Sequence, residues 1–439
     1  MSVELLNVKN HQLKQETLSY FRKIQNHFDQ KLDKYFSYSD PDFEILLRSV
    51  FDEIEGNEES LLLNRHTSRT LEILFKTTKD LKKLLKFFLV VSNRFLDLSR
   101  GRCSSHPLQA ILGRFGELKL EKNEMATFYD EIKKILNKFV KNFFVLSECQ
   151  FATFVVRDII KIFPDLFDDF DLKKLKIREN KRIEKRFCVK LTRKIIKLKS
   201  VFDKCRNKHF SPVLSTLISK MSDGTKRDRK YVRKLCEKII FNNDFILLCC
   251  NPISSFLAQT ILTKSTEETM NEITKIILPK IKFLSLHKNG NFVVQSIFQN
   301  KNLSQKTFLA IFNELKPHFK NLLDENKTLI IAKMSEFCTK NEETQKIYYE
   351  ELAKIFPRKT KNICLNFLFD FAKDRYNLRK WDDYLTTKPS YPGCILLQNL
   401  LKFDPKITIS VIKRRTFVLY CHKSSFKSFY KCINRSKQF

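Results

Sequence analysis

The sequence predicts an all-α protein, an α-solenoid of repeated helical units, and three observations carry that prediction. Only 7 of 439 residues are glycine, which argues against tight β-hairpins and glycine-rich nucleotide loops. A small polar residue followed four positions later by Gln, Glu or Arg recurs along the chain. Aligned on that first residue, successive segments lie 37, 48, 58, 44, 36 and 37 residues apart, a period that marks stacked repeats. Behind these residues run apolar stripes at helical spacing: Leu71, Ile73, Leu74; Val155, Ile159, Ile160; Leu214, Leu217, Ile218; Val293, Ile297, Phe298. A lone repeat cannot cover such a stripe, so each helix must pack on its neighbours.

The clearest helix is His287-Lys288-Asn289-Gly290-Asn291-Phe292-Val293-Val294-Gln295. Positions i and i+4 share a helix face, so Asn291 and Gln295 point the same way, with Phe292 beside them. Two amides can grip a base edge while a flat ring wedges between bases, which is how helical-repeat proteins read single-stranded RNA. In chain order the related triplets are Ser68, Arg69, Glu72; Ser105, His106, Gln109; Thr153, Phe154, Arg157; Ser211, Pro212, Ser215; Ser255, Phe256, Gln259; and Asn291, Phe292, Gln295. A seventh, Thr328, Leu329, Ala332, keeps the spacing without the chemistry. Pro392-Gly393-Cys394-Ile395-Leu396-Leu397-Gln398 restores the form with Cys394 and Gln398, and a last helix near Ser424-Ser425-Phe426 has an ambiguous register. Ser, Thr or Asn near a helix start also serves as an N-cap. A cap needs no partner four residues on, so the recurrence favours reading over capping.

Net charge is +33, which implies a polyanionic partner, nucleic acid before membrane. The excess is clustered: 13 basic and two acidic residues lie between Lys173 and Lys199, and ten basic and one acidic between Leu401 and Phe439. Twelve cysteines and 8 histidines are scattered with no Cys-x-x-Cys, so no metal or other cofactor is expected. With no export signal at Met1-Ser2-Val3-Glu4, the thiols are expected to be reduced and buried in a nuclear or cytosolic protein. No apolar run approaches the ~18 residues of a membrane span. Neither a phosphate-cradling glycine loop nor a Gly-x-Ser-x-Gly nucleophile motif occurs, which argues against an enzyme.

Several segments carry a family resemblance: Leu6-Asn7; Thr17-Leu18-Ser19-Tyr20-Phe21-Arg22-Lys23-Ile24; Leu46 through Glu58; Ser68-Arg69-Thr70-Leu71-Glu72; Phe95-Leu96-Asp97-Leu98; Ser105-His106; and Asn251-Pro252-Ile253-Ser254-Ser255-Phe256. Their order resembles the nucleolar Pumilio-like (PUF-like) RNA-binding proteins of the nucleolar protein nine family. That resemblance implies a curved α-solenoid of about eleven three-helix PUF-like repeats. It implies residues 1–58 as a helical cap, 59–345 as repeats with a basic insertion near 173–199, and 346–439 as C-terminal repeats. It also implies a nucleolar monomer that binds precursor rRNA in the pre-ribosomal small-subunit particle, near the 3′ end processing site of small-subunit rRNA. A Pumilio-type regulator of mRNA and a HEAT- or armadillo-like scaffold remain alternatives.

By the same resemblance Asn291 with Gln295 suits uracil and Ser68 with Glu72 suits guanine. Ser105 with Gln109, Ser255 with Gln259 and Cys394 with Gln398 suit adenine, and Thr153 with Arg157 suits cytosine. Arg69, His106, Phe154, Phe256 and Phe292 would stack between bases. The chain departs from the family pattern in its degenerate fourth and seventh triplets and in using Phe where Tyr, His or Arg is usual.

Overall fold

The computed structural model describes residues 13–32, 41–117, 121–164, 166, 184–241, 245–355 and 391–403, and these contain helices and turns but no strand. The chain divides into two compact units, Met1–Leu235 and Cys236–Phe439.

Unit one contains α1 (Gln15–Leu32), α2 (Pro41–Ile54), α3 (Glu58–Leu63), α4 (Arg65–Thr77), α5 (Leu81–Val91), α6 (Phe95–Leu98), α7 (Ser105–Arg114), α8 (Lys122–Glu148), α9 (Ala152–Ile162), α10 (Glu184–Ile196), α11 (Phe202–Arg206), α12 (Phe210–Ser222) and most of α13 (Lys226–Ile240). An inner layer runs α1, α4, α7, α9, α12, each packed on the next. The outer layer runs α2, α5, α8, α10, α13, and side chains tie each step. Lys83 on α5 pairs with Asp52 on α2 at 2.5 Å. Ser92, just after α5, donates to Glu131 on α8 at 2.8 Å. Lys194 on α10 donates to the Val140 carbonyl of α8 at 2.6 Å. Arg193 donates to Tyr231 on α13 at 2.9 Å.

Local chemistry explains the helices. At the start of α8, the Glu121 backbone N–H donates to the Glu124 side chain at 3.0 Å in a reciprocal capping box. Its buried residues Phe128, Ile132, Ile135, Leu136, Phe139, Phe143 and Leu146 follow the three-and-four spacing of one apolar face. They meet an aromatic cluster in which Phe88 lies 4.9 Å from Phe115 and Phe115 lies 5.0 Å from Phe128. Truncating such a buried ring costs about 3–5 kcal/mol.

Unit two contains the rest of α13, α14 (Phe245–Cys250), α15 (Ser254–Lys264), α16 (Glu267–Ile277), α17 (Ile281–Leu286), α18 (Gly290–Ile297), α19 (Gln305–Leu315), α20 (Phe319–Asp324), α21 (Thr328–Cys338), α22 (Glu342–Ile355) and α23 (Tyr391–Leu400). The inner row is α15, α18, α21, α23. Thr266 and Ser304 cap α16 and α19 by accepting from the backbone N–H three residues on. Pro279 and Pro317 sit in the 3₁₀ turns that end those helices and start α17 and α20. A proline with its fixed φ and missing N–H stops one helix and opens the next. Thr307 donates to Asn271 at 2.7 Å and Asn341 to Gln305 at 2.9 Å, stitching α16, α19 and α22 one repeat at a time. Phe308 stacks on Phe337 at 4.3 Å in the core.

Part of the basic 173–199 stretch forms α10 and takes the outer position of a repeat; residues 173–183 lie outside those described. So does the helix expected near Ser424. Cys188, Cys205, Cys236, Cys249 and Cys338 are buried free thiols. Among the described residues, no helix is long and apolar enough to cross a membrane, and no group of His, Cys, Asp and Glu is arranged to hold a metal.

Candidate nucleic-acid interface

Every inner helix from α4 onward presents its triplet in one register. The first residue is buried in the seven triplets from α4 to α21: Ser68, Ser105, Thr153, Ser211, Ser255, Asn291 and Thr328 are all 5% exposed or less, while Cys394 on α23 is half-buried. The next residue faces solvent wherever it carries a stacking group. Arg69 and His106 are exposed, and Phe154, Phe256 and Phe292 are 42%, 68% and 49% exposed. The two residues after it are buried again. Leaving three phenylalanines this exposed forgoes part of the about 1.5–3 kcal/mol that full burial of each would give. Their repetition at one register on separate helices sets them apart from scattered surface apolarity.

A small residue before the triplet explains how four of the helices are seated. Thr67, Ser104 and Ser254 each donate a hydroxyl to the carbonyl six residues earlier, on Leu61, Leu98 and Leu248 respectively. In α18 this place is Gly290, where a Cβ would stand 2.8 Å from the Leu284 carbonyl oxygen, the same backbone atom one repeat along. The turn before the helix is held by the residue four positions ahead of the first triplet member. Asn64, Asn207 and Asn251 accept backbone N–H groups through Oδ1, and His287 accepts them through Nδ1. These side chains do the capping, so the first triplet residues are not the N-caps.

The polar members are prearranged differently in each repeat. Asn291 Nδ2 donates to the His287 and Lys288 carbonyls at 3.0 and 2.8 Å, and its Oδ1 accepts from Gln295 Nε2 at 2.9 Å. Thr153 donates to the His209 carbonyl of the following repeat at 2.8 Å. Gln109 donates to Asp158 on α9 at 2.6 Å. The Arg157 guanidinium lies 4.8 Å from the Phe154 ring, with its Nε buried and without a hydrogen-bond partner. Glu72 pairs with Lys76 at 2.5 Å, and Arg69 with Asp29 on α1 at 3.1 Å.

The structure thus groups the triplets in two rows. Those of Ser68, Ser105, Thr153 and Ser211 lie on successive inner helices of unit one. Those of Ser255, Asn291, Thr328 and Cys394 lie on successive inner helices of unit two. Pro212 is half-buried at the degenerate fourth triplet, yet Ser211 keeps the register. The asparagine four residues ahead and the small residue one ahead are not among the residues expected from the sequence, although both recur visibly: Asn64, Asn207, Asn251 and Thr67, Ser104, Ser254.

Successive inner helices that place a buried small polar residue beside an exposed ring or cation define the class: this is a PUF-repeat protein. The model for the NOP9-like PUF repeat domain matches residues 175–428, more than half of the chain, and the chain belongs to that family. Among curated proteins it is similar to Nucleolar protein 9 of Candida tropicalis, 36% identical over 121 residues that cover 26% of this chain and 15% of that protein. It is also similar to Nucleolar protein 9 of Debaryomyces hansenii, 26% identical over 227 residues, 45% of this chain and 30% of that protein. The matched segments therefore span a third of those relatives or less. Among solved structures, APUM23-GGAUUUGACGG superposes with a TM-score of 0.67 at 18% identity, covering 96% of this chain and 86% of that one. PUF-8 in complex with PBE-RNA gives 0.52 at 12%, covering 96% and 99%. At these identities the structures speak for the fold.

Proposed function

We propose that this chain binds single-stranded segments of precursor rRNA along its inner helices and acts in small ribosomal subunit biogenesis in the nucleolus. Its site of action on this reading is at or near the 3′ end processing site of small-subunit rRNA, in the pre-ribosomal particle, as a monomer. The observation that carries the reading is the exposure, each beside buried polar residues, of Phe154 on an inner helix of unit one and of Phe256 and Phe292 on consecutive inner helices of unit two. An unpaired base stacked on each ring would cover it, at about 1–3 kcal/mol per base. The base edges would then meet Ser68 and Glu72, Ser105 and Gln109, Thr153 and Arg157, Ser255 and Gln259, Asn291 and Gln295, and Cys394 and Gln398. The Lys/Arg excess supplies the sequence-independent phosphate contacts. The names of the curated relatives and the solved APUM23 and PUF-8 complexes support this reading. Crosslinking the protein to RNA in cells and sequencing the bound fragments tests it. Reads concentrated in precursor rRNA around the small-subunit 3′ end are expected; reads concentrated in messenger RNA contradict it.

A further inference from the structure

The outer layer of unit one has two electrically different ends. At the α2–α5 end, lysines meet carboxylates: Lys79 with Glu44 and Lys83 with Asp52 at 2.5 Å, Lys86 with Glu55 at 2.8 Å, and Lys82 with Glu121 at 3.2 Å. At the α10–α13 end most do not. Residues 187–199 and 226–240 hold twelve Lys and Arg against two carboxylates, Asp228 and Glu237. Asp228 is already engaged, accepting from the Thr225 backbone N–H at 3.0 Å and its hydroxyl at 2.6 Å. Lys190, Lys197, Lys226, Arg227, Lys230 and Lys234 are exposed and make no ion pair among the described residues.

These cations face away from the inner helices. The inward side of α10 is fixed by buried Thr192, whose hydroxyl lies 3.0 Å from Met221 Sδ on α12. Lys190, Arg193 and Lys197 follow the three-and-four spacing of the opposite side. The two helices are joined across this face by Arg193, which donates to Tyr231 Oη and lays its guanidinium 4.8 Å from the Tyr231 ring. That contact covers one face of the Tyr231 ring and engages its hydroxyl. Clustered like charge destabilises the compact state unless a polyanion offsets it.

We propose that the outer face of α10 and α13 is a second nucleic-acid-binding surface, which holds the phosphate backbone of a paired RNA segment and reads no bases. It does not depend on the inner helices contacting RNA. A ledge of closely spaced cations suits a duplex, whose phosphates are exposed and whose bases are stacked away. With both surfaces, one molecule engages an unpaired strand and a neighbouring stem together.

The test uses the full chain and a blunt-ended 20-base-pair RNA duplex as probe, beside an unpaired RNA. In one variant Lys190, Lys197, Lys226, Arg227, Lys230 and Lys234 are each changed to Gln; in another, Phe154, Phe256 and Phe292 are changed to Ala. Unchanged circular dichroism establishes folding of both. The glutamine variant is expected to lose about tenfold or more in duplex affinity at near-physiological salt. Its log–log salt slope should be shallower by about 3 or more, at roughly 0.7–0.9 per phosphate contact. The alanine variant should keep duplex binding. A duplex affinity unchanged by the glutamines, or lost equally in the alanine variant, overturns the proposal. So does a glutamine variant that loses only binding to anionic vesicles or to an acidic peptide. Duplex binding through this face in a protein indifferent to unpaired RNA would uphold this inference and sink the proposed function.

Discussion

Gln295 Nε2 donates to Asn291 Oδ1 at 2.9 Å, and the two amides are only 7% and 4% exposed. Both Nδ2 hydrogens of Asn291 are already given to the His287 and Lys288 carbonyls. What remains for a base edge is one lone pair of Asn291 Oδ1 with the carbonyl oxygen and second N–H of Gln295. The pair is therefore preorganised, and a ligand does not have to order it.

Changing Asn291→Ala together with Gln295→Ala should abolish preference at one nucleotide while leaving the others intact. Competition among four RNAs that differ at one position measures this, and about 1–3 kcal/mol of discrimination is expected to vanish. Equal weakening for every RNA would show that the pair supports the helix and reads nothing.

Gly290→Ala should be among the more damaging single changes in α18. The added Cβ would meet the Leu284 carbonyl oxygen at 2.8 Å and its Cα at 3.2 Å, both backbone atoms that cannot swing aside. A cost of about 1–3 kcal/mol is expected from such overpacking, read as a lower denaturation midpoint. Ser254→Gly, at the same place in α15, leaves the Leu248 carbonyl without its hydroxyl donor and should cost about 1 kcal/mol.

Burial pushes the thiols of Cys205, Cys236 and Cys338 up to about 12. In the folded protein they keep their protons well past pH 9, whereas an unfolded cysteine releases its proton near pH 8.5. Unfolding there releases protons, so stability is full below pH ~8.5 and falls as pH rises above it. Denaturation midpoints at pH 7, 9 and 10 should decline in that order. The three thiols should also resist alkylation at pH 8 until denaturant is added. Fast native alkylation of Cys236 would contradict the burial.

Much of the fold is legible in the sequence because a repeat writes its period in plain residues. The spacing of Ser255, Asn291 and Thr328 and the stripe Val293, Ile297, Phe298 place α15, α18 and α21 and their buried faces. The exposed residues Arg69, His106, Phe154, Phe256 and Phe292 are equally visible, each one position after a small polar residue. Other features are set by contacts between residues far apart in sequence. Nothing local in α4 tells that Arg69 pairs with Asp29, or that Gln109 on α7 reaches Asp158 on α9. Helices α5 and α10 are similarly rich in basic residues, and it is the packing that brings Asp52 and Glu55 beside Lys83 and Lys86. Asn64 and Asn251 were within reach as caps, but the hydroxyls of Ser68 and Ser255 competed for the same role on paper.

The most direct test of the central claim is the affinity of the triple Phe154→Ala, Phe256→Ala, Phe292→Ala variant for unpaired RNA, measured beside its thermal stability. The three rings are exposed, so folding stability should stay within about 0.5 kcal/mol of the parent for each site. Affinity should fall by about a hundredfold or more, from roughly 1–3 kcal/mol per base released. Unchanged affinity in a folded variant would mean that these helices do not hold RNA bases.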